Sequence, residues 1–489
     1  MEHLEIDWNP KMFKVLGIWF TNDLQECEKR NYADKLAEIK HLFQIWSRRQ
    51  LTPIGRVAIL KSLILSKLIH LWMLLPNPPN DFFISLQNSI FKFVWSNKQD
   101  KIKRKTAHKQ IKEGGLGIPE VKTLATALKL TWIRKLQITN HKWKNVMLLM
   151  YPEIVILDKC GPEILQGVSK FNKFWNEVFN AYNALFYKVK PKDIIDVLEE
   201  PLLYNNRIQI GNSFIQYKTW IEKGVSNIAH FLDQSGHFLS YDRFMEKYNI
   251  YIDFITFFGW KSAVRKYIKS TKLQVNTNIT KSVTNCMNKI MSVFRGSKLY
   301  YDILIEDHIA PKCCAKWDEK LQTVIKWNKC FSQLHKIKDI KLKWFQVRII
   351  HRCLGTNVVL NHMKIVDSNK CNFCKTTKDS IEHIFWDCEH TKTFWQHFEC
   401  AVNDKCTIAV NMKLTKPLII LGLDNNNKID PTFYFIILFA KYYIYQSKFE
   451  DRIPSFYTFV HKLKYRYCID KFNAYSEANL SAFQFKWMH

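Results

Sequence analysis

Fourteen glycines and fourteen prolines punctuate a chain of 489 residues, too few for the many tight turns of a sheet-rich fold. Long stretches instead carry apolar residues three or four apart, the period that brings side chains onto one face of an α-helix. The fold expected is therefore mainly α. Its clearest helix follows Thr52-Pro53, where a hydroxyl can cap free amides and proline's preset φ suits the first turn. From Ile54 through Val57, Leu60, Ile64 and Leu68 to Trp72 the apolar positions cover more than one face, as in a helix buried at a centre. Before it, Tyr32, Leu36, Ile39, Phe43 and Trp46 keep helical spacing, and after it Phe83, Leu86, Ile90 and Val94 do the same. Pro76, Pro78 and Pro79 mark the turn between the second and third members of this three-helix arrangement.

The densest local charge comes next, in Lys98, Lys101, Lys103, Arg104, Lys105, Lys109 and Lys112, and it ends at Gly114-Gly115-Leu116-Gly117-Ile118-Pro119. Such a run is either a phosphate-contact strip or nuclear-import signal, or a solvated loop leading into a turn. The glycine spacing fits neither a dinucleotide fingerprint nor a P-loop, so these glycines read as turn formers. Further on, Ser240 is placed to cap a helix with Asp242 in its first turn and Phe244 and Tyr248 on one face. Past Pro311 a basic, aromatic helix carries Trp344, Phe345, Arg348, His351 and Arg352. In the helical tail, Tyr442, Tyr443, Tyr445, Phe456, Phe459, Tyr465 and Tyr467 read as packing more than as base stacking.

Cys371, Cys374, His383 and Cys388 follow the pattern Cys-x2-Cys-x8-His-x4-Cys. Two thiols separated by two residues can reach one ion through a tight turn, and three thiolates with an imidazole suit tetrahedral zinc. Four protein ligands leave no position for water, so the zinc expected here is structural. His390, Cys400 and Cys406 lie near enough to replace one ligand, His390 first because it follows Cys388 by two residues. A segment this small has little core of its own, so the ion is expected to supply most of its folding energy, on the order of ten kcal/mol.

Seventy-three basic side chains against 44 acidic ones leave a net charge of +29, a field that draws in polyanions. Nucleic acid, RNA or DNA, is the partner expected. Aromatic residues make up 14% of the chain, which suits a basic groove interleaved with rings for single strands. Thirteen cysteines, an odd count, with charged and polar residues directly after Met1, point to a reducing compartment, nucleus or cytoplasm, and not to secretion. The apolar run Phe433 to Ala440 stops at Lys441, short of the roughly 20 residues a membrane span needs. No Walker loop or nucleophile elbow is present in the sequence. Tyr32-Ala33-Asp34 resembles part of a polymerase Tyr-Ala-Asp-Asp hairpin, but Lys35 holds the second aspartate's place and the segment has helical spacing.

Four blocks in order, Phe13-Lys14-Val15-Leu16-Gly17-Ile18, Leu51-Thr52-Pro53-Ile54-Gly55-Arg56, Phe91-Lys92-Phe93-Val94-Trp95 and Gly114 to Pro119, resemble the end of the palm and the thumb of LINE-type (non-LTR) retrotransposon reverse transcriptases. Gly224 to Tyr248 resembles a block of that family's connector, and Lys343-Trp344-Phe345-Gln346 through Cys388 to Trp395 resembles its zinc-binding domain. The resemblance implies four parts: end of palm and thumb-like helical bundle over 1–137, helical connector over 138–310, zinc-binding domain over 311–400, and helical tail over 401–489. It also implies that the Leu16-Gly17 segment lies near the primer-gripping end of the palm, and that the helices up to Trp95 contact a template-primer duplex. The zinc unit would help to hold RNA or target DNA.

In that family the catalytic aspartates, which work with magnesium, would precede Phe13. The chain is accordingly expected to grip nucleic acid, with Lys98 to Lys112, Arg348 and Arg352 as contacts, and not to polymerise unaided. Two other readings stay open: a part of an active RNA-directed DNA polymerase whose palm comes from a longer retrotransposon product, or a zinc-stabilised protein-interaction scaffold.

Overall fold

The computed structural model describes residues 11–139, 141–166, 172–273, 286–293, 296–305, 310–405, 413–423, 430–477 and 480–487. Their architecture is mainly helical, as the glycine and proline count implied, and the strands described form two small antiparallel hairpins. The chain groups into two compact units, each assembled from separated segments.

The first unit gathers Met1–Leu42, Leu63–Asn88 and Glu120–Asp307. It opens with the hairpin of Met12–Val15 and Ile18–Thr21, in register Met12 opposite Thr21 and Val15 opposite Ile18. Leu16 and Gly17 form its two-residue turn, both at positive φ (50° and 82°), a backbone twist that matches the twist of paired strands. Asn31 locks the hairpin to the following helical segment: its amide donates to the carbonyls of Trp19 and Cys27, and its oxygen accepts from Trp19 N–H. Tyr32-Ala33-Asp34 is indeed helical, and the Tyr32 hydroxyl donates to the carbonyl of Pro76.

The core of this unit is aromatic. Phe231 lies 4.8 Å from Phe244 and 5.9 Å, stacked, from Phe257, all three sealed from solvent. Removing each ring from water contributes roughly 1.5–3 kcal/mol. Ser240 caps the helix Tyr241–Tyr248 by accepting from Arg243 N–H, as its position suggested. The capped end aims Phe244 inward. A charge is also buried here: Lys129 has no exposed surface, sits 3.3 Å from Glu177 Oε2 and 4.0 Å from the Phe174 ring centre, and donates to the Leu75 carbonyl. Burial holds its ammonium down to about 8 against the pull of Glu177. Glu177 in turn accepts from Asn77 N–H in the proline-marked turn, so that turn is fixed from a hundred residues away.

The second unit gathers Phe43–Ser62, Ser89–Pro119 and His308–His489. Thr52 caps the helix that starts at Pro53, its hydroxyl accepting from Gly55 N–H. The single helix expected from Ile54 to Trp72 is interrupted by a π turn at Leu60–Ile64 and resumes at Ser66–Leu74. An extra residue in a turn rotates the apolar face, so Leu60, Ile64, Leu68 and Trp72 all stay buried. Arg56 is buried and donates to the carbonyls of Phe93, Leu51 and Arg49 at 2.8, 3.4 and 3.4 Å while its guanidinium lies over the Phe93 ring. It satisfies the free carbonyls around the end of the helix Asp34–Ser47.

The helix Pro431–Phe449 runs straight through Lys441. That lysine is fully buried, its Nζ donating to Gln346 Oε1 at 2.6 Å and to the Ile420 carbonyl at 3.1 Å. The tail aromatics pack as expected: Tyr443, Tyr445 and Phe459 are buried, while Tyr465 is exposed. Among the described residues no single helix is long and apolar enough to cross a membrane.

Candidate metal centre

The second unit brings Cys371, Cys374, His383 and Cys388 together, with one ligand atom from each lying within 4.8 Å of the others. Thiolates about 2.3 Å from a tetrahedral ion stand about 3.7 Å apart, so this spacing suits a single ion. Local chemistry builds the site. A bridge between Lys370 and Lys378 closes a loop in which Cys371 N–H donates to the Thr377 carbonyl and Lys375 N–H to the Cys371 carbonyl. Lys375 turns the chain at φ 58°, immediately after Cys374. That knuckle lets two sulfurs face one point.

The other two ligands come from a short π segment, His383–Asp387, with Cys388 as its cap. Ser380 accepts from His383 N–H, and Cys388 N–H donates to the His383 carbonyl. The five-residue step of a π turn places imidazole and thiol on the same side. Cys374 Sγ stands 3.4 Å from His383 Nε2.

The environment favours thiolate. Although burial works against it, the Thr376 hydroxyl and backbone N–H groups hold the Cys374 thiol down to about 7. Cys388 is pulled down chiefly by the Cys371 thiol beside it, and Cys371 is pushed up by that same neighbour and by burial. The two share a proton that an ion would displace. Three ligands are buried and Cys374 is half-buried. The sequence alternatives do not join them: His390 faces Glu389 at 3.6 Å, Cys400 is exposed on the helix Glu389–Lys405, and Cys406 lies outside the described residues.

Around the ligands, three acids each hold a cation. Asp379 pairs with Lys448 at 2.6 Å, Glu382 with Arg352 at 2.6 Å, and Asp387 with Lys416 at 2.8 Å. Asp379 also accepts from Asn357 N–H, and the Asn357 amide donates to the Lys370 carbonyl beside Cys371. These supports come from distant parts of the chain, and no spacing rule in the sequence announces them. The Trp395 indole adds a further tie, donating to the Phe385 carbonyl within the π segment.

The basic residues separate into two groups. Lys98, Lys101, Lys103, Arg104, Lys105 and Lys112 are exposed, and Lys109 is half-buried. Arg104 pairs with Asp100 at 2.9 Å and covers the Phe91 ring; Lys112 lies 3.8 Å from Glu113. Lys103 has the Lys312 ammonium beside it, which pulls its own proton affinity down. Arg348 and Arg352, by contrast, are half-buried in packing: Arg348 beside the rings of Phe345 and Tyr445, Arg352 over Trp317 as well as on Glu382. The glycines after the run form turns, with Gly114 ending a 3-10 turn at φ 84° and Gly117 at φ 68°. No known protein-family model matches the chain.

Proposed function

We propose that this chain grips RNA or DNA as the nucleic-acid-binding carboxy-terminal part of a LINE-type retrotransposon reverse transcriptase, with a structural zinc ion holding its Cys371/Cys374/His383/Cys388 segment. The observation that carries this reading is the crowding of like charge on one exposed stretch. Lys98, Lys101, Lys103, Lys105 and Lys112 reach solvent, and Lys103 stands beside Lys312. Ammonium groups held close together repel each other, and a phosphate between them relieves that repulsion while releasing condensed counterions.

Within this reading the phosphate contacts are the exposed lysines. Arg352 acts indirectly, by steadying Glu382 next to His383. Zinc suits the donor set because three thiolates and one imidazole match its preferred ligands and fill its tetrahedral shell, which leaves no position for water. Such an ion organises a fold and does not activate a nucleophile. The thiol-rich site also favours a reducing compartment, nucleus or cytoplasm.

The test is a salt titration of binding to single-stranded RNA and to duplex DNA. Each neutralised phosphate contributes about −0.9 to the slope of log affinity against log salt on duplex, and about −0.7 on single strands. A steep slope supports the reading. Affinity that is flat between low and physiological salt removes it.

A further inference from the structure

The second unit contains a cavity of about 770 Å³ that plays no part in the metal site or the basic stretch. That volume lies in the range of small-molecule sites. The helix Pro431–Phe449 contributes its first turns to it and the helix Phe456–Ser476 its last turns. Part of the lining is apolar, including Phe435, Leu438 and Phe483.

Its charges are already matched. Arg466 bridges Asp339 and Asp470 at 3.1 Å each, Lys486 sits on Asp470, and Asp430 caps the helix at Pro431 through the N–H groups of Thr432 and Phe433. A metal ion or a compact dianion would have to break these pairs. The polar groups without a match are neutral. Among the described residues neither the Thr432 hydroxyl, the Tyr434 hydroxyl nor the Gln333 side-chain oxygen has a hydrogen-bond partner, although all three atoms are buried. Thr432 is 8% exposed and Tyr434 7%, and all three residues line the cavity. An unmatched buried hydroxyl or amide oxygen costs about 1–3 kcal/mol, a cost that a ligand with complementary edge groups removes. Lys336 and Lys338, both exposed, stand among the lining residues.

We infer that this cavity receives a nucleobase: a flat, uncharged ring against the apolar lining, its donor and acceptor edge met by Gln333, Thr432 and Tyr434, with the attached phosphate toward Lys336 and Lys338. The inference rests on the nucleic-acid reading for one source of the base, an unstacked residue of a bound strand. A free nucleoside is the other source, and it presents the same edge chemistry. Recognition of splayed-out bases commonly combines such a surface with hydrogen bonds to base edges.

The experiment uses the full chain, a twelve-nucleotide single-stranded RNA, the same strand made abasic throughout, and free adenosine and uridine. Two variants accompany it: Thr432→Val with Tyr434→Phe, which removes both hydroxyls at nearly constant volume, and Ala474→Trp, which fills the cavity. The double variant should fold with no loss of thermal stability, since it deletes unmatched groups, and should bind the RNA about tenfold more weakly, the scale of one base contact. Its salt slope should not change, and the abasic strand should not distinguish it from the parent. Saturable binding of adenosine or uridine to the parent and not to the variants identifies the free-nucleoside source. RNA binding of parental strength in both variants, with neither nucleoside bound, overturns the pocket and leaves the nucleic-acid reading standing. Absence of RNA binding at any salt, together with nucleoside binding that the variants abolish, overturns the nucleic-acid reading and leaves the pocket.

Discussion

Lys448 Nζ lies 2.6 Å from Asp379 Oδ2, with the two side chains only 2% and 0% exposed. This pair fastens the helix Pro431–Phe449 to the loop between Cys374 and His383. Replacing Lys448 by Met leaves a carboxylate buried without its countercharge, and breaking such a pair from one side costs about 3–5 kcal/mol. Chemical denaturation of Lys448→Met should show that loss. The double variant Lys448→Met, Asp379→Asn should lose less, because no bare charge remains and the acceptor for Asn357 N–H is kept. A single variant within about 1 kcal/mol of the parent would show the pair to be dispensable.

Loss of a ligand should act locally first. In Cys371→Ser the metal content is expected to fall, and the loop from Cys371 to Ser380 to become open to proteases. Ile384 and Phe385, both fully buried, and the indole bond from Trp395 give the π segment support that does not depend on an ion. Mass spectrometry of the native protein counts the ion, and limited proteolysis maps the opening. Equal metal content and equal protease resistance in parent and variant would exclude the site.

Lys441 gives the second unit a pH signature. Burial holds its ammonium down to about 7, whereas the unfolded chain titrates it at its ordinary value of 10.5. Between those values the unfolded state binds the proton and the folded state has released it, so stability rises with pH across that window and levels off below it. One proton corresponds to a slope of up to about 1.4 kcal/mol per pH unit. The Cys330 thiol nearby, itself pushed up by burial, stays neutral through most of the same range. Denaturation of Lys441→Met between pH 7 and 10 should show a flatter profile than the parent. Parallel profiles would mean that the ammonium stays charged in place.

The exposed stretch makes a separate, electrostatic prediction. Lys101→Ala, Lys103→Ala and Lys105→Ala together should reduce the salt slope on duplex DNA by about 0.9 for each phosphate contact removed. Thermal stability should stay near parental, since all three side chains are exposed. Arg352→Ala should do the reverse, lowering stability and metal retention through Glu382 with little change in slope. Filter binding at several salt concentrations separates the two behaviours.

What could be read from the sequence was local. Thr52 and Ser240 cap helices because a hydroxyl, a proline or an acid within four residues is enough to define the cap. The four metal-site residues were legible for the same reason, since a knuckle and one helical turn fix their relative places. Pairings across long separations were not. Lys441 looked like a charge that ends an apolar run, yet Gln346, 95 residues earlier, lets it sit inside the core. Arg352 looked free for phosphate until Glu382, 30 residues away, took its guanidinium. The hairpin at Leu16-Gly17 and the π turn at Leu60–Ile64 escaped helical counting because each departs from the 3.6-residue period over only a few positions.

The cations that hold Asp379, Glu382 and Asp387 lie outside the Cys/His segment itself, at Lys448, Arg352 and Lys416. Transplanted into another scaffold, the segment would carry its four ligands and three unaccompanied carboxylates, an anionic burden that its own backbone does nothing to relieve. The ion and the surrounding helices are thus thermodynamic co-owners of one structure. Chelation should lower the melting temperature of the second unit as a whole, in a single cooperative step, instead of releasing a small independent bead.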